Sequence, residues 1–202
     1  GKHCFVEKPI AVDPVGVRGF IETADKAKEK NLSVVAGTQM RRTRHIMDAM
    51  NRMHSGEIGE LVGGQCVRIG DGMLEWYGDL KQPKPDMSEM EYQIRRWLFM
   101  TWLSGDFIVE MHVHNLDLMN WAFNAHPVQC IANGGRQVRT APEYGDVYDH
   151  FAAEFEYPNG VRVEYMGGQT DGVSTRNDMR YVGTKARAYV DFGGAYFEGG
   201  VT

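Results

Sequence analysis

The sequence predicts an α+β protein in which an open-faced, mostly antiparallel sheet packed with helices follows a short βαβ unit. Three observations predict it. Residues 3–36 run from a β-prone stretch through an amphipathic helical stretch to a second β-prone stretch, an order that demands parallel strands. Beyond Pro127 the apolar residues come in short strand-like runs separated by turns. The 24 glycines among 202 residues lie mostly after residue 55, where a turn-rich sheet uses them; ordinary usage would give about 14.

His3 to Val6 is the first strand, ending at Glu7-Lys8-Pro9. Asp13 before Pro14 is an N-cap with proline in the first helical turn. Val17, Phe20, Ile21, Ala24 and Ala27 then recur at helical spacing up to Lys30, and Leu32 to Ala36 forms the second strand, stopped by Gly37. Arg44 to Ser55 is a second helix with Ile46, Met47, Met50 and Met53 on its core side and Gly56 as its stop. Ile58 to Ile69 reads as a strand, and Gly70 to Glu91, with Pro83 and Pro85, as a long surface excursion. The aromatics of Tyr92–Leu103 suit core or interface, and Phe107 to Phe123 is the clearest helix in the chain. Strands follow at Val128–Gly134, Asp149–Tyr157, Val161–Met166, Met179–Val182 and Ala186–Phe192, with Tyr157-Pro158-Asn159-Gly160-Val161 as a hairpin turn. The division expected is 1–40 for the βαβ unit and 41–202 for the sheet domain. The chain opens without an initiator methionine and Gly193–Thr202 brings no closing element, so it reads as a fragment of a longer protein.

Twenty-two Lys and Arg against 27 Asp and Glu give a net charge of −5, which argues against a nucleic-acid or anionic-membrane partner. Cys4, Cys66 and Cys130 are odd in number and widely spaced, so neither a disulfide framework nor a CxxC metal site is indicated. No apolar run reaches the ~18–20 residues of a membrane span. The expected setting is a reducing compartment, the cytoplasm.

The sharpest chemical constellation lies in Ser104–Asp117. On one continuous helix Glu110 and His114 share a face, and Asp117 lies one turn beyond. A carboxylate beside a histidine orients the imidazole and raises its basicity, as a general acid/base requires. A plain ion pair on a half-buried helix and a metal site are the competing readings; the spacing is no HExxH, and no metal is assigned. Val113, Leu116 and Asn120 would face the packing side and His112 elsewhere. Lys8 stands where a parallel strand ends, the place where α/β sheets bind ligands. Arg41, Arg42 and Arg44 form a basic cluster of which one member could meet a substrate. Gly134-Gly135-Arg136 and Tyr148-Asp149-His150 read as polar turns.

Taken in order, Gly1-Lys-His-Cys-Phe-Val-Glu-Lys-Pro-Ile-Ala11, Gly37-Thr-Gln-Met-Arg-Arg42, Gly56-Glu-Ile-Gly-Glu-Leu61, Gly105 to Trp121 and Tyr157 to Val161 resemble the glucose–fructose oxidoreductase/inositol dehydrogenase/rhizopine-catabolism (Gfo/Idh/MocA) family. The resemblance implies a Rossmann domain, of which residues 1–40 are the end, and a dihydrodipicolinate reductase-like C-terminal domain that binds substrate and self-associates. It implies NAD or NADP as cofactor of the full-length protein, with Glu7, Lys8 and Pro9 against it, and a sugar or polyol CH–OH group as substrate. It places Lys8, His114 and Glu110 in catalysis, and Lys8, Arg41, Glu110, His114 and Asp117 around the substrate. Glu110 occupies a place usually held by Asp, and His112 one often held by Gly. No Gly-x-Gly-x-x-Gly opens the βαβ unit, so this fragment is expected to be inactive alone and to hold no nicotinamide cofactor tightly. A homo-oligomer through the large sheet is expected. A self-associating module without catalysis, and an NAD-assisted glycoside hydrolase or lyase, are the alternative functions.

Overall fold

A computed structural model of the chain describes residues 1–199; the final three residues of the expected second domain, 200–202, lie outside the described residues. The first unit is as small as the pattern foretells. Strand β1 (Cys4–Val6) and strand β2 (Val34–Ala36) pair in parallel, with Phe5 opposite Val35, and helix α1 (Pro14–Glu29) connects them. The Asp13 carboxylate accepts the Gly16 N–H at 2.7 Å, satisfying one of the free amides of the first turn. Val17, Phe20, Ala24 and Ala27 are half-buried, while Ile21, Phe5 and Val35 remain exposed.

Helix α2 (Arg44–His54) buries Ile46, Ala49, Met50 and Met53, a stripe at i, i+3, i+4 and i+7. Met47, expected in that core, falls beside the stripe and is exposed. Strand β3 (Leu61–Gly70) starts three residues later than anticipated, because the Ile58 carbonyl serves a turn and accepts the Lys185 N–H at 2.9 Å. The excursion that follows carries a 3-10 segment (Leu74–Lys81) and helix α3 (Glu89–Arg95). It covers a small second core of Met73, Leu74, Leu98, Phe99, Met100 and Val147. Buried Arg96 and Arg139 lie on Phe99, 5.2 and 4.9 Å from its centroid, and donate to the carbonyls of Lys81 and Gly72.

Helix α4 (Thr101–Ser104) precedes two helices, α5 (Asp106–Glu110) and α6 (Val113–Phe123), that replace the single helix expected over 107–123. The break lies at Met111–His112, where the His112 N–H reaches back five residues to the Phe107 carbonyl at 3.0 Å. It resets the helical phase, so the buried stripe of α6 is His114, Asn115, Leu118, Met119 and Ala122 instead of Val113, Leu116 and Asn120. His112, expected to point elsewhere, is buried.

Six more strands complete the sheet: β4 (Gln129–Gly135), β5 (His150–Glu156), β6 (Arg162–Gln169), β7 (Arg176–Gly183), β8 (Ala186–Asp191) and β9 (Ala195–Gly199). The order is β4-β5-β6-β3-β7-β8-β9, parallel at β3–β6 and antiparallel elsewhere. Strand β9 corrects the expectation that the chain brings no closing element after Gly193: Tyr196 pairs with Tyr189 and stacks on it at 4.5 Å. Gly160, at φ +77°, turns the β5–β6 hairpin. Helices α2 and α6 cover one face of the sheet, over Cys66, Val163, Tyr165, Met179, Tyr181 and Ala188. The opposite face is open and shows Ile131, Met166, Val182 and Tyr196 to solvent. At one rim the ends of β3, β4 and β6 and the start of β5 come into register: Gly135 faces His150, His150 faces Gly168, and Gly70 faces Gln169. Among the described residues no helix is long and apolar enough to cross a membrane.

Candidate active site at the junction of the two units

The Lys8 side chain leaves the end of β1 and meets α5. Its Nζ donates to Glu110 Oε1 and to the Glu110 carbonyl, both at 2.5 Å, with the two side chains 17% and 8% exposed. Two local features bring the partners together. The Gly37 N–H bonds the Val6 carbonyl at 2.8 Å and fixes the strand end. Gly105, at φ +73°, precedes α5, and a Cβ there would stand 2.8 Å from the Val12 carbonyl oxygen, so a side chain would push the units apart.

Glu110 Oε2 and His114 Nδ1 are both buried, and neither has a hydrogen-bond partner among the described residues. Buried polar atoms left in this way cost free energy until something supplies a partner. Burial, then the charges of Lys8 and Arg68, bring the His114 imidazole down to about 4, against a smaller upward pull from Asp117. It is therefore neutral at pH 7. The expected Glu110–His114 couple, with the carboxylate raising the basicity of the ring, is not formed: the helix breaks between them and Lys8 takes the carboxylate.

Arg41 and Asp117, both expected at the substrate, are given to each other. Arg41 donates Nε to Oδ2 at 2.7 Å and Nη2 to Oδ1 at 2.8 Å, with its guanidinium over Trp121. Arg42 and Arg44 are exposed. Glu7 is exposed beside Gly37, and Pro9 is half-buried. Asp13 already occupies the amino end of α1, so that helix offers no free N-terminus for a phosphate. Among the described residues no group of three His, Cys, Asp or Glu side chains is arranged to hold a metal ion.

Two residues behind the site, Arg68 and Tyr165, were not singled out in the sequence, and His112 was named there without a role. Arg68 on β3 points to the helix-covered side, as Cys66 does, and donates to Asn115 Oδ1 at 3.1 Å. An arginine two residues after an inward cysteine was the available signal. His112 Nδ1 and the Tyr165 hydroxyl lie 2.5 Å apart. Burial, then Arg68, holds His112 well below its ordinary value, and burial pushes Tyr165 up, so this pair is neutral. Gly167 leaves room for it, since a Cβ there would stand 2.8 Å from His112 Nδ1. At the adjoining rim Asp149 Oδ2 accepts the N–H groups of Gln137, Val138 and Arg139 at 2.7, 2.6 and 2.9 Å, which makes the expected polar turns a single staple. Depressions of about 360 and 510 Å³ lie on the open face of the sheet, across from the Lys8 cluster.

The family model described as the GFO/IDH/MocA C-terminal domain matches residues 46–189. An uncharacterized oxidoreductase of Streptococcus pneumoniae is 26% identical over 159 residues, 79% of this chain and 38% of that protein. An oxidoreductase domain protein from Kribbella flavida superposes with a TM-score of 0.75 at 20% identity, covering 96% of this chain and 49% of its own. A scyllo-inositol dehydrogenase from Lactobacillus casei, solved with NAD(H) and scyllo-inositol, superposes with a TM-score of 0.70 at 17% identity, covering 98% and 56%. The chain thus spans 38% of the length of the curated relative and about half of each of these structures.

Proposed function

Because the chain belongs to the GFO/IDH/MocA family, we propose that it is the substrate-side part of an NAD(P)-dependent oxidoreductase acting on a CH–OH group of a sugar or polyol. In this reading residues 1–40 close the cofactor domain and residues 41–202 form the substrate and self-association domain. The observation that carries it is the pair of unpartnered buried acceptors, Glu110 Oε2 and His114 Nδ1, beside the Lys8 ammonium.

Two adjacent substrate hydroxyls satisfy all three groups, the first of them being the one oxidised. Its proton passes to His114 Nδ1, which the neutral ring in its Nε2–H form presents as an acceptor. Lys8 Nζ donates to the same oxygen and stabilises the negative charge that develops there. Glu110 holds Lys8 through Oε1 and takes a neighbouring hydroxyl on Oε2. The nicotinamide, when bound, supplies the hydride acceptor, and Glu7, Lys8 and Pro9 would stand at that end of the cofactor. The apolar residues on the open face support self-association, and three free thiols support a reducing, cytoplasmic setting.

The test is H114A in the full-length protein that carries this chain, with polyols and aldoses as substrates. The expected outcome is a kcat lowered about 10²–10⁴-fold with KM changed by only a few-fold. An unchanged kcat would remove His114 from the reaction.

A further inference from the structure

Resting on the reading above, we infer that Arg68 is a substrate-contacting specificity residue, selecting a sugar or polyol that bears a carboxylate over its neutral counterpart. Its partner, Asn115, directly follows His114 in α6, so Arg68 stands beside the acid/base pair. The Arg68 charge is one of those holding the His114 imidazole down, which puts it within electrostatic reach of the reacting hydroxyl.

Arg68 stands beside this cluster without a counter-ion, as Arg96 and Arg139 do in the second core. Arg41, Arg52, Arg95, Arg162, Arg176 and Arg180 each pair with a carboxylate. Among the described residues Arg68 forms no ion pair and has the neutral Asn115 amide oxygen as its hydrogen-bond partner. The nearest carboxylates are already engaged. Glu110 offsets Lys8, Asp117 offsets Arg41, His114 is neutral, and Asp106 is turned to the N–H groups of Phe107 and Tyr148 at 2.6 and 2.9 Å. A half-buried guanidinium without an anion carries a desolvation cost that an incoming anion relieves.

The free side of the guanidinium suits a two-oxygen anion such as a carboxylate. One guanidinium nitrogen is engaged by Asn115, and the Phe192 ring lies 5.1 Å below the guanidinium carbon, which fixes its plane. The remaining edge offers two parallel N–H donors, the match for one carboxylate. Phe192 is exposed and Arg68 is half-buried, so solvent reaches the pair. Aldonates and uronates combine such a group with the hydroxyl that the Lys8 cluster requires.

The experiment is calorimetric titration of this 202-residue chain with D-glucuronate, D-glucose and D-glucose 6-phosphate, in wild type, R68M and R68K. The expected result is glucuronate bound about tenfold or more tightly than glucose. R68M should erase that preference. R68K keeps the charge without the two-pronged edge and should lower the preference several-fold, which decides the matter should R68M not fold. Equal wild-type affinities for glucuronate and glucose, or a preference that survives in R68M or R68K, would overturn the inference while leaving the oxidoreductase reading in place. Tightest binding of the phosphate would overturn the carboxylate assignment. Binding of none of the three would overturn the inference, while H114A in the full-length protein decides the oxidoreductase reading.

Discussion

Helices α1 and α2 carry apolar stripes of the same period, yet α2 takes four side chains fully out of solvent and α1 takes none. What differs is the surface beneath. Helix α2 lies with α6 on a seven-stranded sheet, whereas α1 lies on two strands of three residues each. A hydrophobic period therefore states which face of a helix is covered, and the number of strands below states how completely. The two units are joined at Lys8, whose position is set by a residue of the larger unit.

The comparison breaks or sharpens at three places. Leu118 is fully buried between α6 and the sheet, so L118A should cost about 2–5 kcal/mol by denaturant midpoint; a cost below 1 kcal/mol would mean that the larger unit is no more tightly packed than the smaller. Acid should also strike the larger unit. Burial pushes the Asp149 carboxyl up, but the N–H groups of Arg139, Val138 and Gln137 and the His150 ring outweigh it and bring the group down to about 2. Its folded value lies below the unfolded one, so its contribution is present above pH ~4 and is lost as pH falls through 2. Between pH 5 and 2 the wild type should lose about 1–2 kcal/mol more than D149N; parallel pH profiles would remove the staple from the account. His114 adds a loss of the same sign between pH 6.5 and 4, since the unfolded chain takes up its proton first. The smallest effect belongs to the smaller unit: Ile21 is 52% exposed, and I21S should change stability by no more than about 0.5 kcal/mol in the same titration.

Most strands, the Asp13 cap and the Tyr157–Val161 hairpin were legible because local chemistry alone settles them. The break at Met111–His112 was not, because no proline or glycine marks it; Phe107, His112 and Tyr165 packing edge to face decides it, and Tyr165 arrives from a distant strand. Strand β9 was missed because Ala195–Gly199 is flanked by glycines and takes its strand character from pairing with β8. At the site the residue types were legible and their pairing was not. Periodicity joined Glu110 to His114, while Lys8, 102 positions away from Glu110, claimed the carboxylate first. Arg68 needed the alternation of β3 to be read beside the buried Cys66.

The mixed centre of the sheet has an evolutionary corollary. Because β3 runs with β6 and against β7, the connections 71–88, 136–149 and 170–175 all spring from one margin. Insertions or deletions in any of them would reshape the rim near Arg68 while every ladder keeps its alignment.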